Sequence, residues 1–254
     1  MQAVLLVAGV GRRLGATHDG RPKVLLPFGG KTLLQRHIEI LGACGVGEIV
    51  LVVGHRSDLI AAELSRIGTP ATLGVRLVAN PRYTEGSVVS LWTARDALRD
   101  ADAGPTLLMD GDVLYDSRLL VRLLATSHAD CALLDRNIEP GDEPVKLCID
   151  SSGRIVDFHK KPVVQGAWHG ESVGFFRISP TTAGALAERA DAYVAGNRVH
   201  MEYEEPLRDV MLAGGSFGFE DVTGLPWTEI DFSEDVRRAT DEVLPQLRET
   251  REAA

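Results

Sequence analysis

The first chemical signal lies near the start of the chain. The apolar run Ala3 to Val7 leads into Ala8-Gly9-Val10-Gly11, then Arg13 and Leu14, and Pro22-Lys23 follows. A glycine loop after a strand lets backbone N–H groups approach a polyphosphate, and cations such as Arg13 and Lys23 neutralise it. No Gly-Lys-Ser/Thr follows, so the Walker spacing is absent. Leu14 stands at the third glycine position of the dinucleotide fingerprint, which fails too.

Carboxylates form the second signal. Asp110-Gly111-Asp112 closes the apolar run Thr106 to Met109, and Glu229 and Asp231 stand two apart in Trp227-Thr228-Glu229-Ile230-Asp231. Ligands of open parallel sheets gather at strand carboxyl ends, where paired carboxylates suit a hard divalent cation such as Mg²⁺. Positions i and i+2 of a strand share a face, so Glu229 and Asp231 can reach one ion.

A third group of residues could hold a second substrate. Lys146 alternates with Val145 and Leu147, and Lys160-Lys161 follows the next strand; such cations suit an acceptor's phosphate. Glu202-Tyr203-Glu204-Glu205 joins an aromatic ring to carboxylates, a composition that suits an ammonium or a hydroxylated group. Glu171 offers a further acceptor contact. Gly86 permits close backbone approach, Ser87 offers a hydroxyl at a helix start, and with Glu85 they face Leu6 to Ala8 across a slot that fits a pyrimidine better than a purine.

These groups need a scaffold. Ala3–Val7, Glu48–Val53, Val75–Ala79 and Thr106–Met109 read as apolar strands. Thr32–Leu41, Asp58–Ile67 and Ser87–Leu98 read as the helices between them. That alternation predicts a parallel sheet covered on both faces. The second half reads as strands at Ala129–Asp135, Val145–Ile149, Arg154–His159 and Ser172–Ile178, with a hairpin turn at Ser151-Ser152-Gly153. Helices at Thr181–Ala190 and Glu202–Ala213 and short strands at Phe217–Asp221 and Leu225–Ile230 follow. A last helix is expected over Glu234–Leu247, capped by Ser233. No element is assigned to residues 113–128. With no repeat or linker, the reading is one domain over 1–254, nucleotide-binding in 1–125 and acceptor-binding in 126–254.

Composition bounds the partners. The 254 residues are 44% hydrophobic, enough for a sizeable core, and carry a net charge of −9. That balance argues against nucleic acid, which needs a basic surface. No apolar run approaches the roughly 18 residues of a membrane span, and no signal peptide precedes the first strand. Cys44, Cys131 and Cys148 form no disulfide framework and read as buried small hydrophobes of a reducing cytoplasm. A homodimer is compatible with this reading, and a disordered tail is expected over Arg248–Ala254.

The opening segment resembles the signature of the nucleotidyltransferases that activate sugar phosphates and phospho-alcohols, L-A-A-G-x-G-x-R-L followed by P-K. Val7 replaces the first Ala; Ala8, Gly9, Gly11, Arg13, Leu14, Pro22 and Lys23 match. Tyr83 to Leu91 is similar to the base-contacting loop of phosphocholine, phosphonate and inositol-phosphate cytidylyltransferases, and Trp227 to Ala239 resembles that branch again. The resemblance runs from Ala3 to about Leu247. It implies a Rossmann-like nucleotidyltransferase fold (GT-A-like), α/β, with a mixed, mostly parallel sheet flanked by helices. It implies Mg²⁺ on Asp112 and Asp231 with help from Glu229, and Asp110 beside them at the nucleotide. It implies Leu6, Ala8, Gly9, Gly11, Glu85, Gly86 and Ser87 around the nucleotide, with Arg13 and Lys23 on its phosphates. Lys146, catalytic and acceptor-binding, aligns with a lysine of the inositol-phosphate branch; Lys160, Glu171, Tyr203 and Glu204 complete the acceptor site. The implied reaction joins CTP to a small phosphorylated or phosphonate acceptor. A hexose-1-phosphate uridylyl- or thymidylyltransferase, or a domain that senses nucleotide without turnover, remain the alternatives.

Overall fold

Successive residues of a strand face opposite sides of a sheet, and here that alternation divides the core in two. Ala3, Leu5, Leu51 and Met109 join one buried cluster with Leu33, Leu41 and Leu119. Val4, Val50, Val52 and Leu108 join the other with Leu91, Leu186 and Leu207. The computed structural model describes residues 1–214 and 217–248.

The elements follow the chain as β1 (Gln2–Leu6), β2 (Pro27–Phe28), β3 (Lys31–Thr32), α1 (Leu33–Ala43), β4 (Glu48–Val53), α2 (Ser57–Ile67), β5 (Gly74–Ala79), α3 (Ser87–Thr93) and α4 (Arg95–Leu98). Then come β6 (Thr106–Asp110), β7 (Val113–Tyr115), α5 (Ser117–Leu124), β8 (Asp130–Asp135), β9 (Lys146–Ile149), β10 (Ile155–His159) and β11 (Trp168–Ile178). The chain continues through α6 (Pro180–Ala195), α7 (Glu204–Gly214), β12 (Phe217–Asp221), β13 (Trp227–Glu229) and α8 (Ser233–Arg238).

One mixed sheet has the order β10-β9-β11-β6-β1-β4-β5, with β8 paired to β11 and β12 paired to β8. β6, β1, β4 and β5 run parallel. β11 is antiparallel to β6, β8 and β9, and its register shifts against β8 between Ser172 and Phe176. Gly174 lies in that irregularity at φ +76°, a left-handed conformation that glycine adopts freely.

Local chemistry explains several boundaries. Thr32 caps α1 by accepting from the Gln35 N–H at 3.1 Å, and Ser179 caps α6 ahead of Pro180. Four expectations need correction. The apolar strand at 75–79 is not covered on both faces; β5 is a sheet edge, and Leu77 is exposed. Ser87–Leu98 is two helices, because the Ala94 N–H is shared between the Ser90 and Leu91 carbonyls and the chain turns there. The expected last helix is α8 followed by a π turn at Ala239–Val243 and a 3₁₀ turn at Leu244–Gln246. Pro245, which lacks an N–H and disfavours helix in the residue before it, stands in that last turn. Ser233 does not cap α8: Phe232 holds the cap position, Asp235 Oδ2 accepts from the Asp231 and Phe232 N–H groups, and the Ser233 hydroxyl donates to Glu234. β7 and α5 occupy the stretch left unassigned.

Cys131 and Cys148 are buried, whereas Cys44 is only partly so; all three are free thiols. Among the described residues no helix is long and apolar enough to cross a membrane. Of the expected tail, the Arg248 N–H donates to Asp116 Oδ2 at 3.0 Å, and residues 249–254 lie outside the described residues.

Candidate active site

The carboxyl ends of β1 and β6 open on a cleft of about 470 Å³, within the roughly 300–1,000 Å³ range of small-molecule sites. Gly11 turns the first loop at φ +67°, and buried Leu14 anchors it, its N–H donating to the Gly11 carbonyl at 3.1 Å. The turn Pro22 to Leu25 buries Val24 and Leu25, which leaves Lys23 directed into the cleft.

Two distant segments meet there. β13 pairs with β7, Glu229 opposite Val113, and the Ile230 N–H donates to the Asp112 carbonyl at 2.9 Å. Carboxylate oxygens of Asp112, Glu229 and Asp231 consequently lie within 4.8 Å of one another. From them runs an alternating series of charges. Lys23 Nζ donates to Asp112 Oδ2 at 2.7 Å and to Asp231 Oδ1 at 2.5 Å. Arg13 bridges Asp231 Oδ2 and Glu143 Oε2, both at 2.8 Å. Lys160 continues from Glu143 at 3.2 Å to Glu202 at 3.1 Å.

The electrostatics follow from enclosure and crowding. Burial opposes charge on Lys23 and on Arg13, yet the pull of Asp112 and Asp231 on the first, and of Asp231 and Glu143 on the second, raises both pKa values. Enclosure within the cleft, then the charges of Asp112, Asp231 and Asp110, push the Glu229 carboxyl well above its usual range. Burial and the neighbouring Asp112 and Glu204 do the same to Asp110, which accepts the Tyr203 hydroxyl proton at 2.7 Å. Beneath the Asp110–Asp112 turn, buried His37 donates from Nε2 to the Gly111 carbonyl at 3.2 Å. Burial drives its pKa to about 4, so it stays neutral and holds the turn in place.

The end of the cleft lined by Glu171, Glu202 and Glu204 is acidic. Burial and then Glu202 raise the Glu204 pKa to about 7. Glu204 Oε2 is sealed from solvent without a hydrogen-bond partner. Glu171 is 5% exposed and accepts the Glu139 N–H at 2.8 Å. Burial lifts its pKa to about 7.

The cleft brings together Leu6, Ala8, Gly9, Gly11, Arg13, Lys23, Glu85, Gly86, Ser87, Asp110, Asp112, Lys160, Glu171, Tyr203, Glu204, Glu229 and Asp231. It does not include Lys146, whose ammonium donates to the Lys160 carbonyl at 3.0 Å and so steadies the bend after β10 that carries Lys160. Gly86 does provide a close approach, but to the chain's own backbone: a Cβ there would stand 2.1 Å from the Met201 carbonyl oxygen. The Ser87 hydroxyl accepts the Tyr203 N–H at 2.8 Å, which ties α3 to the start of α7. Glu85 pairs with Arg82 at 2.8 Å. Sequence reasoning missed Glu143 as the counter-ion of Arg13, 130 residues away, because a long-range pair has no local signature. It also missed His37 beneath the turn and Phe158 on the cleft wall. Gly174 was read only as part of the strand Ser172–Ile178; a Cβ there would meet Asp110 Oδ2 at 2.1 Å.

A glycine loop, paired cations and a carboxylate cluster at the carboxyl ends of parallel strands, on this mixed sheet, define a nucleotidyltransferase fold. The inositol-1-phosphate CTP transferase of T. maritima superposes with a TM-score of 0.76 at 20% identity, covering 96% of this chain and 95% of that one. The CTP:phosphocholine cytidylyltransferase of Streptococcus pneumoniae superposes with a TM-score of 0.72 at 21% identity, covering 93% and 96%. Residues 3–167 match the MobA-like NTP transferase domain, and the chain belongs to that family. It is 31% identical over 95% of its length to the bifunctional IPC transferase and DIPP synthase of Rubrobacter xylanophilus. It is 30% identical over 99% of its length to the CMP-5'-(3-aminopropyl)phosphonate synthase of Streptomyces rubellomurinus. The chain spans 52% of the first relative and 40% of the second.

Proposed function

We propose that this protein transfers a cytidylyl group from CTP to a small phosphonate or phosphomonoester whose far end carries a protonated amine. An acceptor oxygen attacks the α-phosphorus, the bond from that phosphorus to the bridging oxygen breaks, and pyrophosphate leaves. The attacking oxygen is already anionic near neutral pH, so no general base is required. Catalysis is positioning plus charge neutralisation. The glycine loop approaches the phosphates, and Arg13 and Lys23 offset charge on the α-phosphate and on departing pyrophosphate. Asp112, Glu229 and Asp231 are hard oxygen donors close enough to share one ion. They would hold a divalent cation such as Mg²⁺, which neutralises phosphate charge when bound.

The convergence of Lys23 with two of these carboxylates beside the glycine loop carries the proposal. The choice of CTP draws support from the structural neighbours named for CTP reactions. The amine draws support from Glu204 Oε2, a sealed acceptor that lacks a donor, and from the relative named for an aminoalkylphosphonate product. The test is pyrophosphate release with CTP, UTP, dTTP, ATP and GTP against 2-aminoethylphosphonate, phosphocholine, inositol 1-phosphate and glucose 1-phosphate. CTP should exceed every other triphosphate by at least about tenfold in kcat/KM, because mismatched bases leave buried polar groups unpaired. Of the acceptors, 2-aminoethylphosphonate should turn over fastest. A better rate with UTP or dTTP and glucose 1-phosphate would transfer the protein to the hexose-1-phosphate branch. No release with any pair would favour a binding domain without turnover.

A further inference from the structure

Lys23 has a second task besides meeting phosphate. Its ammonium touches Asp112 Oδ2 at 2.7 Å and Asp231 Oδ1 at 2.5 Å, while Arg13 takes the other oxygen of Asp231 at 2.8 Å. Both oxygens of Asp231 and one of Asp112 are therefore engaged by side-chain cations. Divalent ions sit about 2.0–2.6 Å from carboxylate oxygens. An ion held by Asp112 and Asp231 would have to compete with the ammonium for these carboxylates, at a separation where like charges repel strongly.

We infer that Lys23 is the resting cation of the carboxylate cluster, so that a divalent ion and the ammonium exclude one another at Asp112 and Asp231. The ion enters when Lys23 has another anion to go to, and a polyphosphate chain on the glycine loop is such an anion. Lys23 thereby sets the order of assembly: an ion arriving alone must displace a well-placed ammonium, whereas an ion arriving with polyphosphate meets carboxylates being vacated. The gain is reciprocal, since an ion on the carboxylates frees Lys23 for phosphate. The resting pair also spares three crowded carboxylates from facing one another without a counter-charge.

The identity of the polyphosphate rests on the proposed function, but the exclusion itself can be tested without nucleotide. Mn²⁺ alone serves as probe, and the resonance of the free ion reports binding to the full chain. Lys23→Met should bind Mn²⁺ at least about tenfold more tightly than the wild type, a typical coupling between sites. The control Lys31→Met, at a lysine that pairs with Glu39 outside the cleft, should match the wild type. The double variant Lys23→Met/Asp112→Asn should lose the gain. Lys23→Met binding within twofold of the wild type, or a gain that survives Asp112→Asn, would overturn the inference. Should Lys23→Met melt at low temperature in EDTA, Mn²⁺ should raise its Tm more than that of the wild type; failure to do so also overturns it. Turnover plays no part in this readout, so a wrong nucleotide or acceptor leaves it standing.

Discussion

The two ends of the cleft treat charge in opposite ways. At the glycine-loop end three carboxylates have a cation at hydrogen-bond distance, with Lys23 spanning Asp112 and Asp231 and Arg13 spanning Asp231 and Glu143, while Glu229 beside them has its carboxyl pushed well above its usual range. At the end proposed for the acceptor, Lys160 is taken by Glu143 and Glu202, and Glu204 keeps an oxygen with no partner. A paired end needs only an exchange of partners to receive an anion with its counter-ion. An end with an excess of carboxylate is complete only when something positive fills it. A substrate negative at one end and positive at the other would satisfy both.

The largest effects should come from breaking the paired end. Asp112→Asn and Asp231→Asn should each lower kcat by about a hundredfold or more, the scale seen when a transition-state charge partner is removed. Initial rates within tenfold of wild type in either variant would remove that carboxylate from the reaction. The acceptor end should respond more selectively. Glu204→Gln should cost about tenfold in kcat/KM for 2-aminoethylphosphonate and little for methylphosphonate, since only the former brings a charge for the carboxylate to meet. An equal loss with both acceptors would show that Glu204 shapes the cleft without reading charge.

The smallest effect concerns stability. The Glu171 pKa is near 7 when folded against an ordinary value of 4.5. The folded state thus keeps a proton that the unfolded chain gives up, and stability falls as pH rises from about 4.5 through 7. Glu204, Asp110 and Glu229 are shifted the same way and add to the slope. Thermal melts between pH 5 and 8 should show Tm declining, with a shallower decline in Glu171→Gln. An unchanged slope in that variant would mean that Glu171 ionises freely in the folded protein.

Local pattern was legible and partnership was not. The apolar run Glu48–Val53 is the observed β4, residue for residue, and the glycine loop with Lys23 was visible because strand, turn and cation adjoin in sequence. The spacing of Glu229 and Asp231 placed both on one side, and the fold brings Asp112 to them. Alternation also showed that Lys146 faces away from its neighbours, but a face does not reveal what covers it, and here the Lys160 carbonyl does. An apolar strand reads much the same at an edge as in the middle of a sheet, and in β5 the sign of exposure was Arg76, which pairs with Glu48 at the surface. β7 and α5 are too short to announce themselves; in α5 only Leu119, Leu120 and Leu123 are buried.

The joint between β7 and β13 also bears on how the protein is made. Glu229 pairs with Val113, and the Ile230 N–H reaches the Asp112 carbonyl, across more than a hundred residues of intervening chain. A nascent polypeptide emerges with its glycine loop, Lys23 and Asp112 long before Asp231 exists, at roughly 5–20 residues per second. During that interval Lys23 has one of its two carboxylates, and the carboxylate cluster lacks two of its three members. Assembly of the carboxylate cluster therefore waits on a short strand, β13, made more than a hundred residues after β7, the strand it docks on.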